Sequence, residues 1–356
     1  MTRKVKIDRL SKRYGDVAAL KDVSLDVNEG EFLTLLGPSG SGKTTLLMIL
    51  AGLVEPSSGR VWIDGLDSTD LPSFRRDIGL VFQNYALFPH LSIFENIAFP
   101  LRMRRLKEDE IRSKVAEILT AVKLPEVANR LPRELSGGQQ QRIALARCVV
   151  YKPSIVLMDE PLGALDKRLR EQLQLEIKRL HRELGMTILY VTHDQEEAMA
   201  MSDRICLMNG GEIEQLGPPS QLYFQPVSLF SGDFLGESNL FKGSVGLVRD
   251  GRVHIDTVCG HTITAKAMNS LKSGQSVTCL VRPESFRLLE NGARLENEVE
   301  AEVQEILVVG GITRIYARLS DGTKVLSIRL TSRSQLELKG GAVAKFGWSS
   351  EDSVTV

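Results

Sequence analysis

The sequence predicts an α/β domain built on a parallel sheet, followed by a small all-β barrel. Three observations predict it. Short, wholly apolar runs alternate with long amphipathic helical patterns over residues 1 to about 232. A glycine-rich loop joins one such run to a helix. From about Phe234 the pattern becomes alternating segments punctuated by Asp-Gly, Asn-Gly and Gly-Gly pairs. A chain of 356 residues is long enough for two separate cores.

Taken in order, Ile7 to Leu10, Val23 to Val27 and Phe32 to Leu36 read as strands, as do Val61 to Asp64 and Ile78 to Phe82. Ile155 to Asp159 and Thr187 to Thr192 are runs of the kind a parallel sheet buries on both faces. Between them, Ile111, Val115, Ile118, Leu119 and Val122 share one helical face. Leu169, Leu173, Ile177, Leu180 and Leu184 share another, with Gly185 placed to end that helix. In the β half, "GSVGLVRDGRVHI" and "TRIYARLSDGTKVLSI" look like copies of one hairpin, turning at Asp250-Gly251 and Asp321-Gly322. The connecting stretch "FSGDFLGESNLF" carries small and polar residues.

The composition is 42% hydrophobic and 25% charged, as in ordinary globular proteins, and formal net charge is zero. Nothing global argues for a nucleic-acid partner. Cys148, Cys206, Cys259 and Cys279 lack metal or disulfide spacing and fit reduced thiols in a cytoplasmic protein. The first residues, "MTRKVKIDRL", lack the apolar run of a signal peptide, and no stretch approaches membrane-spanning length. Any membrane role is therefore expected to pass through a partner.

The chemistry concentrates in four places. "LTLLGPSGSGKTTLLMIL" is a strand, loop and helix matching G-x-x-x-x-G-K-[ST] at Gly37, Gly42, Lys43 and Thr44. Backbone N–H groups of Gly37, Ser39, Gly40, Ser41 and Gly42, running into Thr45, are suited to wrap phosphates, with Pro38 shaping the same loop. Lys43 offers a charge to the outer phosphates, and the Thr44 hydroxyl suits Mg²⁺. "SIVLMDEP" delivers Asp159, suited to hold Mg²⁺, and Glu160, suited to act as general base on a water. "TILYVTHD" repeats the design, with His193 at a strand end where a donor reaches a γ-phosphate. In "LSGGQQQRIALAR", Gly137 and Gly138 open a helix at a cost of about 1 kcal/mol each relative to alanine. Bare amides at the positive end of a helix would admit an anion. A Ser136 cap with two tolerated glycines explains the same letters.

On these motifs the chain resembles the ATPase subunits of ATP-binding-cassette transporters, over essentially its whole length. The resemblance implies an α/β P-loop NTPase, residues 1–235, with a helical subdomain at about 84–150. An OB-like accessory (TOBE) barrel follows at 236–356, matched by "VRPES" at 281 to 285. It implies that Ser136, Gly137, Gly138 and Gln139 grip ATP bound by the opposite subunit of a homodimer. Tyr14 matches the aromatic that stacks on adenine. Gln83 matches the glutamine joining Mg²⁺ to the transporter contact, and Asp166 the loop aspartate at the dimer seam. Gly163 stands where serine is usual, a mild departure. The aromatic-rich loop "NYALFPHLSIFENIAF" falls where the family receives a coupling helix, and Phe88 and Phe94 are open to a core or an interface role.

The resemblance further implies ATP and Mg²⁺ as cofactors, two permease subunits, a periplasmic binding protein and the cytoplasmic face of a bacterial inner membrane. "DFLGESNLF" and "THDQEEAMAMSDRICLMNGGEIEQLG" look most like the spermidine/putrescine importers, with sugar, sulfate, phosphonate and iron importers as near alternatives. A soluble translation or repair ATPase would keep the motifs but usually pairs two cassettes or inserts a long coiled coil. Neither is present here.

Overall fold

The computed structural model describes residues 2–163, 165–249, 251–258, 260–266, 271–290, 292–332 and 338–356. The chain divides into two compact units, Met1–Pro219 and Ser220–Val356. Residues 220–235, grouped with the first domain on sequence grounds, thus fall in the second unit.

The first unit begins β1 (Arg3–Tyr14), β2 (Val17–Asn28), β3 (Phe32–Leu36), α1 (Lys43–Leu50), β4 (Ser58–Ile63), β5 (Leu66–Asp67) and β6 (Ile78–Val81). Helices α2 (Ile93–Met103), α3 (Glu108–Ala121) and α4 (Gly137–Val149) follow. The unit closes with β7 (Ile155–Asp159), α5 (Lys167–Leu184), β8 (Ile188–Thr192), α6 (Gln195–Met201), β9 (Arg204–Asn209) and β10 (Glu212–Gly217). The central sheet runs β10-β9-β3-β8-β7-β6, parallel except for β10. A second, antiparallel sheet runs β2-β1-β4-β5.

The apolar runs are explained by two-sided burial. Val156, Met158, Ile188 and Tyr190 pack with the helical residues of α2 to α5. Their neighbours Ile155, Leu157, Leu189 and Val191 pack with α1 and the antiparallel sheet. Each such side chain contributes about 1.5–3 kcal/mol on burial, so neither face tolerates the polar alternation of a half-exposed strand. On α3, Ile111, Val115, Ile118 and Leu119 are buried, and Val122 beyond its end is buried too. On α5, Leu173, Ile177 and Leu180 are buried but Leu184 is exposed, and Gly185 ends the helix at φ 61°. A glycine that the pattern did not single out fixes α4. A Cβ at Gly79 on β6 would stand 2.2 Å from the Cys148 sulfur, so only glycine lets this helix lie so close.

The second unit holds α7 (Pro219–Phe224), α8 (Leu229–Phe234), β11 (Asn239–Arg249), β12 (Arg252–Thr257), β13 (Thr262–Lys266), β14 (Ser276–Val281) and β15 (Arg287–Leu288). It continues with β16 (Asn297–Val309), β17 (Ile312–Arg318), β18 (Lys324–Leu330), β19 (Val343–Trp348) and β20 (Ser353–Thr355). Strands β11-β12-β13-β20-β14 close a barrel, and β15-β19-β16-β17-β18 form a further five-stranded sheet. The sheet is an addition to the single barrel expected from the sequence.

A repeat is present, but in another register. Strands β11-β12-β13 correspond to β16-β17-β18, so "GSVGLVRDGRVHI" (β11-β12) matches the β16-β17 hairpin and not "TRIYARLSDGTKVLSI" (β17-β18). Asn239 opens β11 and Asn297 opens β16, each 2% exposed. The Asn239 amide accepts from Leu326 N at 2.7 Å and donates to Leu326 O at 2.9 Å, on β18. Asn297 does the same to Thr264 on β13, at 2.7 and 2.9 Å. Each copy's first strand thereby satisfies the backbone of the other copy's third strand. Arg282 of "VRPES" is buried and donates to the carbonyls of Tyr223, Gly232 and Gly236. This ties the two short helices to the strands of their own unit. The Asp321-Gly322 turn is present, with Gly322 at φ 90° and Asp321 accepting from Thr323 N. Asp250 and Cys259 lie outside the described residues. Cys148, Cys206 and Cys279 are free and buried. No helix among the described residues is long and apolar enough to cross a membrane.

Candidate functional site

The loop after β3 is shaped by two obligatory glycines. A Cβ at Gly37 would stand 2.2 Å from the Met208 carbonyl oxygen. One at Gly42 would meet Ala19 O at 2.5 Å, and Gly42 adopts φ 98°. Close approach thus demands glycine at both ends of the loop. Helix α1 starts at Lys43 with no side-chain cap and no acidic residue in its first turn, so its amides and dipole are available to an anion. Lys43 Nζ donates to the carbonyls of Gly37 (2.8 Å) and Pro38 (2.9 Å), curling over the loop. Its burial lowers its pKa, while Glu160 and Asp159 pull the other way. Ser39, Gly40 and Thr44 are exposed along this rim, Pro38 and Thr45 half-buried, and Ser41 buried beneath it.

Strand β7 ends beside this loop. Asp159 Oδ1 accepts from the Thr44 hydroxyl at 3.3 Å. Burial pushes the Asp159 carboxyl above the ordinary range; the Thr44 hydrogen bond opposes that rise. The next residue, Glu160, has φ 43°, unusual for a glutamate, and its N–H donates to Val191 O at 3.0 Å. That bond locks the end of β7 to β8. His193, just past β8, places Nδ1 3.1 Å from Glu160 Oε1. The Gln83 amide nitrogen and the Glu160 carbonyl each lie 3.6 Å from where a Cβ on Gly163 would sit. A serine would fit there in ordinary contact, so the departure at Gly163 has no steric cause. Lys43, Thr44, Asp159, Glu160, His193 and Gln83 are therefore brought to one end of the parallel sheet, its carboxyl end.

The residues around the second glycine pair sit differently. Gln139 N donates to Ser136 Oγ at 3.4 Å, and Ser136 N donates to Gln139 Oε1 at 3.0 Å, a reciprocal cap on α4. A Cβ on Gly138 would press to 2.9 Å on Leu169, whereas one on Gly137 would meet only Leu165 at 3.7 Å. Gly138 is thus accounted for by packing on α5, and Gly137 is not. Asp166 caps α5, accepting from Leu169 N at 2.9 Å. Tyr14, at the exposed end of β1, is half exposed and has Lys12 Nζ 5.0 Å from its ring centre.

The aromatic loop is better anchored than its letters suggested. Tyr85, Leu87 and Phe94 pack against the core. Phe88 instead lies 4.9 Å from Phe99, with Arg147 over its ring. Two residues the sequence reading passed over hold the loop. Asn96, fully buried, accepts from Phe88 N and donates to the carbonyls of Phe88, Leu91 and Ser92. Arg147 donates to the carbonyls of Ala86 and Tyr85. Asn96 was discoverable as a polar residue on the same helical face as Ile93, Ile97 and Leu101; Arg147 carried no such signal.

A cradle of backbone amides at a helix start, a lysine folded over it and a Thr–Asp pair beside a glutamate define a P-loop nucleotide-binding protein. The comparisons narrow this. The ABC transporter family matches residues 20–163 and the TOBE domain family residues 279–356. The "Spermidine/putrescine import ATP-binding protein PotA" of Rubrobacter xylanophilus is 45% identical, over 97% of this chain and 91% of its own. The protein of that name from Thermobifida fusca is 43% identical, over 98% and 92%. Among solved structures, the dimeric ABC transporter cassette MJ0796 is 40% identical with TM-score 0.54, covering 60% of this chain and 98% of its own. A post-hydrolysis dimer of the same cassette, bound to ADP and Pi, matches at 39% and 0.54. The chain belongs to the ABC transporter ATP-binding family, as a cassette followed by a TOBE domain.

Proposed function

We propose that this chain is the ATPase subunit that drives an importer of polyamines, spermidine or putrescine. The observation that carries the ATPase reading is the meeting of Lys43, Thr44, Asp159, Glu160 and His193 around one glycine loop. The near full-length likeness to spermidine/putrescine import ATP-binding proteins supports the cargo. In this reading Gly37 to Thr45 hold the phosphates, and Lys43 leaves the loop carbonyls for the outer phosphates. Glu160 polarises the attacking water, and His193, 3.1 Å away, orients it and reaches the γ-phosphate. Tyr14, half exposed, stacks on adenine.

Mg²⁺ fits the residues present. Among the described residues no group of three or more His, Cys, Asp or Glu is placed to hold a metal. Mg²⁺ needs only one or two carboxylate or hydroxyl oxygens beside substrate phosphates, and Thr44 and Asp159 supply that oxygen pair; in this reading Gln83 joins them. The bound ion would neutralise charge developing on the phosphates. Two chains pair so that Ser136 to Gln139 of one, with Asp166 at the seam, close on the other's ATP; the partners are two permeases and, indirectly, a periplasmic binding protein. Gln83 and the loop held by Asn96 and Arg147 face the permease at the cytoplasmic side of the inner membrane. The TOBE domain adds dimer contacts and regulation.

The test of the cargo is transport. Deleting this chain from its host is expected to abolish energy-dependent uptake of labelled spermidine or putrescine and to leave sugar uptake unchanged. The reverse pattern would assign another cargo while leaving the ATPase reading intact.

A further inference from the structure

We propose that Arg170 is a positioning residue that makes the loop carrying Asp166 and the loop carrying His193 move as one. Arg170 stands near the start of α5, on the same helical stripe as buried Leu173 and Ile177, where a guanidinium must find partners. It finds them on both loops. Nη2 donates to the Leu165 carbonyl at 3.2 Å, the residue before Asp166. Nη1 donates to the Asp194 carboxylate at 2.9 Å, the residue after His193. Nε lies 3.7 Å from the carboxylate of Glu197.

The far side of this link is itself rigid. Asp194 caps α6, accepting from Glu197 N at 3.1 Å, and its own N–H donates to Thr192 Oγ1 at 3.0 Å. Glu197, 2% exposed, accepts from the hydroxyls of Tyr190 and Thr192, both at 2.8 Å. Tyr190 and Thr192 belong to β8, the strand that delivers His193. A planar, forked cation shared between two loops constrains their separation and mutual orientation together. The pairing is also partly desolvated, so it is screened less than a surface ion pair.

The consequence rests on the ATPase reading. If the Asp166 loop meets the partner chain, its displacement pulls through Leu165 and Arg170 on Asp194, hence on His193 and the Glu160 it contacts. Arg170 would then govern turnover without touching nucleotide, because Gly37 to Thr45 make none of these contacts.

The experiment is steady-state ATP hydrolysis by the full-length chain with Mg²⁺, alongside binding of a non-hydrolysable ATP analogue and thermal melting. Arg170→Gln is expected to lower kcat about tenfold while leaving KM and analogue affinity within about twofold. Arg170→Lys should recover part of the loss. Asp194→Asn removes the charge but keeps a residue able to cap α6, and should lower kcat similarly. The double variant should be no worse than the poorer single, since both break one link. Normal turnover in Arg170→Gln overturns the proposal, as do losses that multiply in the double variant. So does a loss that follows falling Tm and analogue affinity without rescue by lysine. Should Arg170→Gln not fold, Arg170→Lys and Asp194→Asn decide on the same criteria. A wild-type chain that does not hydrolyse ATP would instead overturn the ATPase reading beneath it.

Discussion

Glu160 sits at φ 43°, in a region that costs a non-glycine residue of order 1–3 kcal/mol, and its amide is committed to Val191. Held there, the carboxylate lies 3.1 Å from His193 Nδ1. Glu160→Gln is isosteric, so backbone strain and packing are unchanged and only the charge is lost. The expected outcome is a fall in kcat of about 10²–10⁴-fold with ATP affinity retained, read by hydrolysis and binding assays. Near-normal hydrolysis would remove Glu160 from the role of base. The carboxylates were legible in the letters because a run of four buried apolar residues ends on them. Arg170 and Asn96 were not, because the partners that make them matter are separated in sequence or are backbone atoms.

At the level of the element, the start of α4 separates two explanations of its glycines. Gly138 has Leu169 at 2.9 Å from its would-be Cβ, whereas Gly137 has only Leu165 at 3.7 Å, an ordinary contact. A cap with tolerated glycines needs nothing at Gly137. Gly137→Ala should therefore stabilise the chain by about 0.4–1 kcal/mol through the unfolded state, seen as a higher Tm, yet impair hydrolysis. Gly138→Ala should show no gain in Tm, because Leu169 has to shift. If Gly137→Ala hydrolyses ATP at the wild-type rate, the helix cap accounts for the whole motif. Helix α4 itself was readable from its residues, but the Gly79 contact that seats it on β6 was not.

For the whole molecule the question is whether two chains complete each other's sites. In a two-fold dimer every contact occurs twice, so Lys43→Ala and Ser136→Arg each damage both sites when alone. In mixed dimers one site carries both lesions and the other none. Random pairing makes about half the dimers mixed, and hydrolysis is expected to reappear on mixing if one intact site suffices. ATP-induced pairing of the mixed chains is the companion measurement for sites that must fire together. If mixing restores neither activity nor pairing, while Ser136→Arg alone pairs normally, the shared site is excluded.

The residues by themselves determined strands β3, β7 and β8, helices α3 and α5, the phosphate loop, and Asp159 and Glu160 at the end of β7. These are local matters: burial on both faces erases alternation, and a glycine loop with a following lysine needs only neighbouring residues. They also determined that the second half is β. The tertiary structure alone decided that Asn239 and Asn297 lock two copies of a three-strand unit to each other, that Arg282 binds the two short helices into the second unit, and that Arg170 bridges the loops before α5 and α6. Each of these is a polar side chain satisfying groups 5 to 87 residues away. Periodicity reads which face of an element is buried, but not which distant backbone that face will meet.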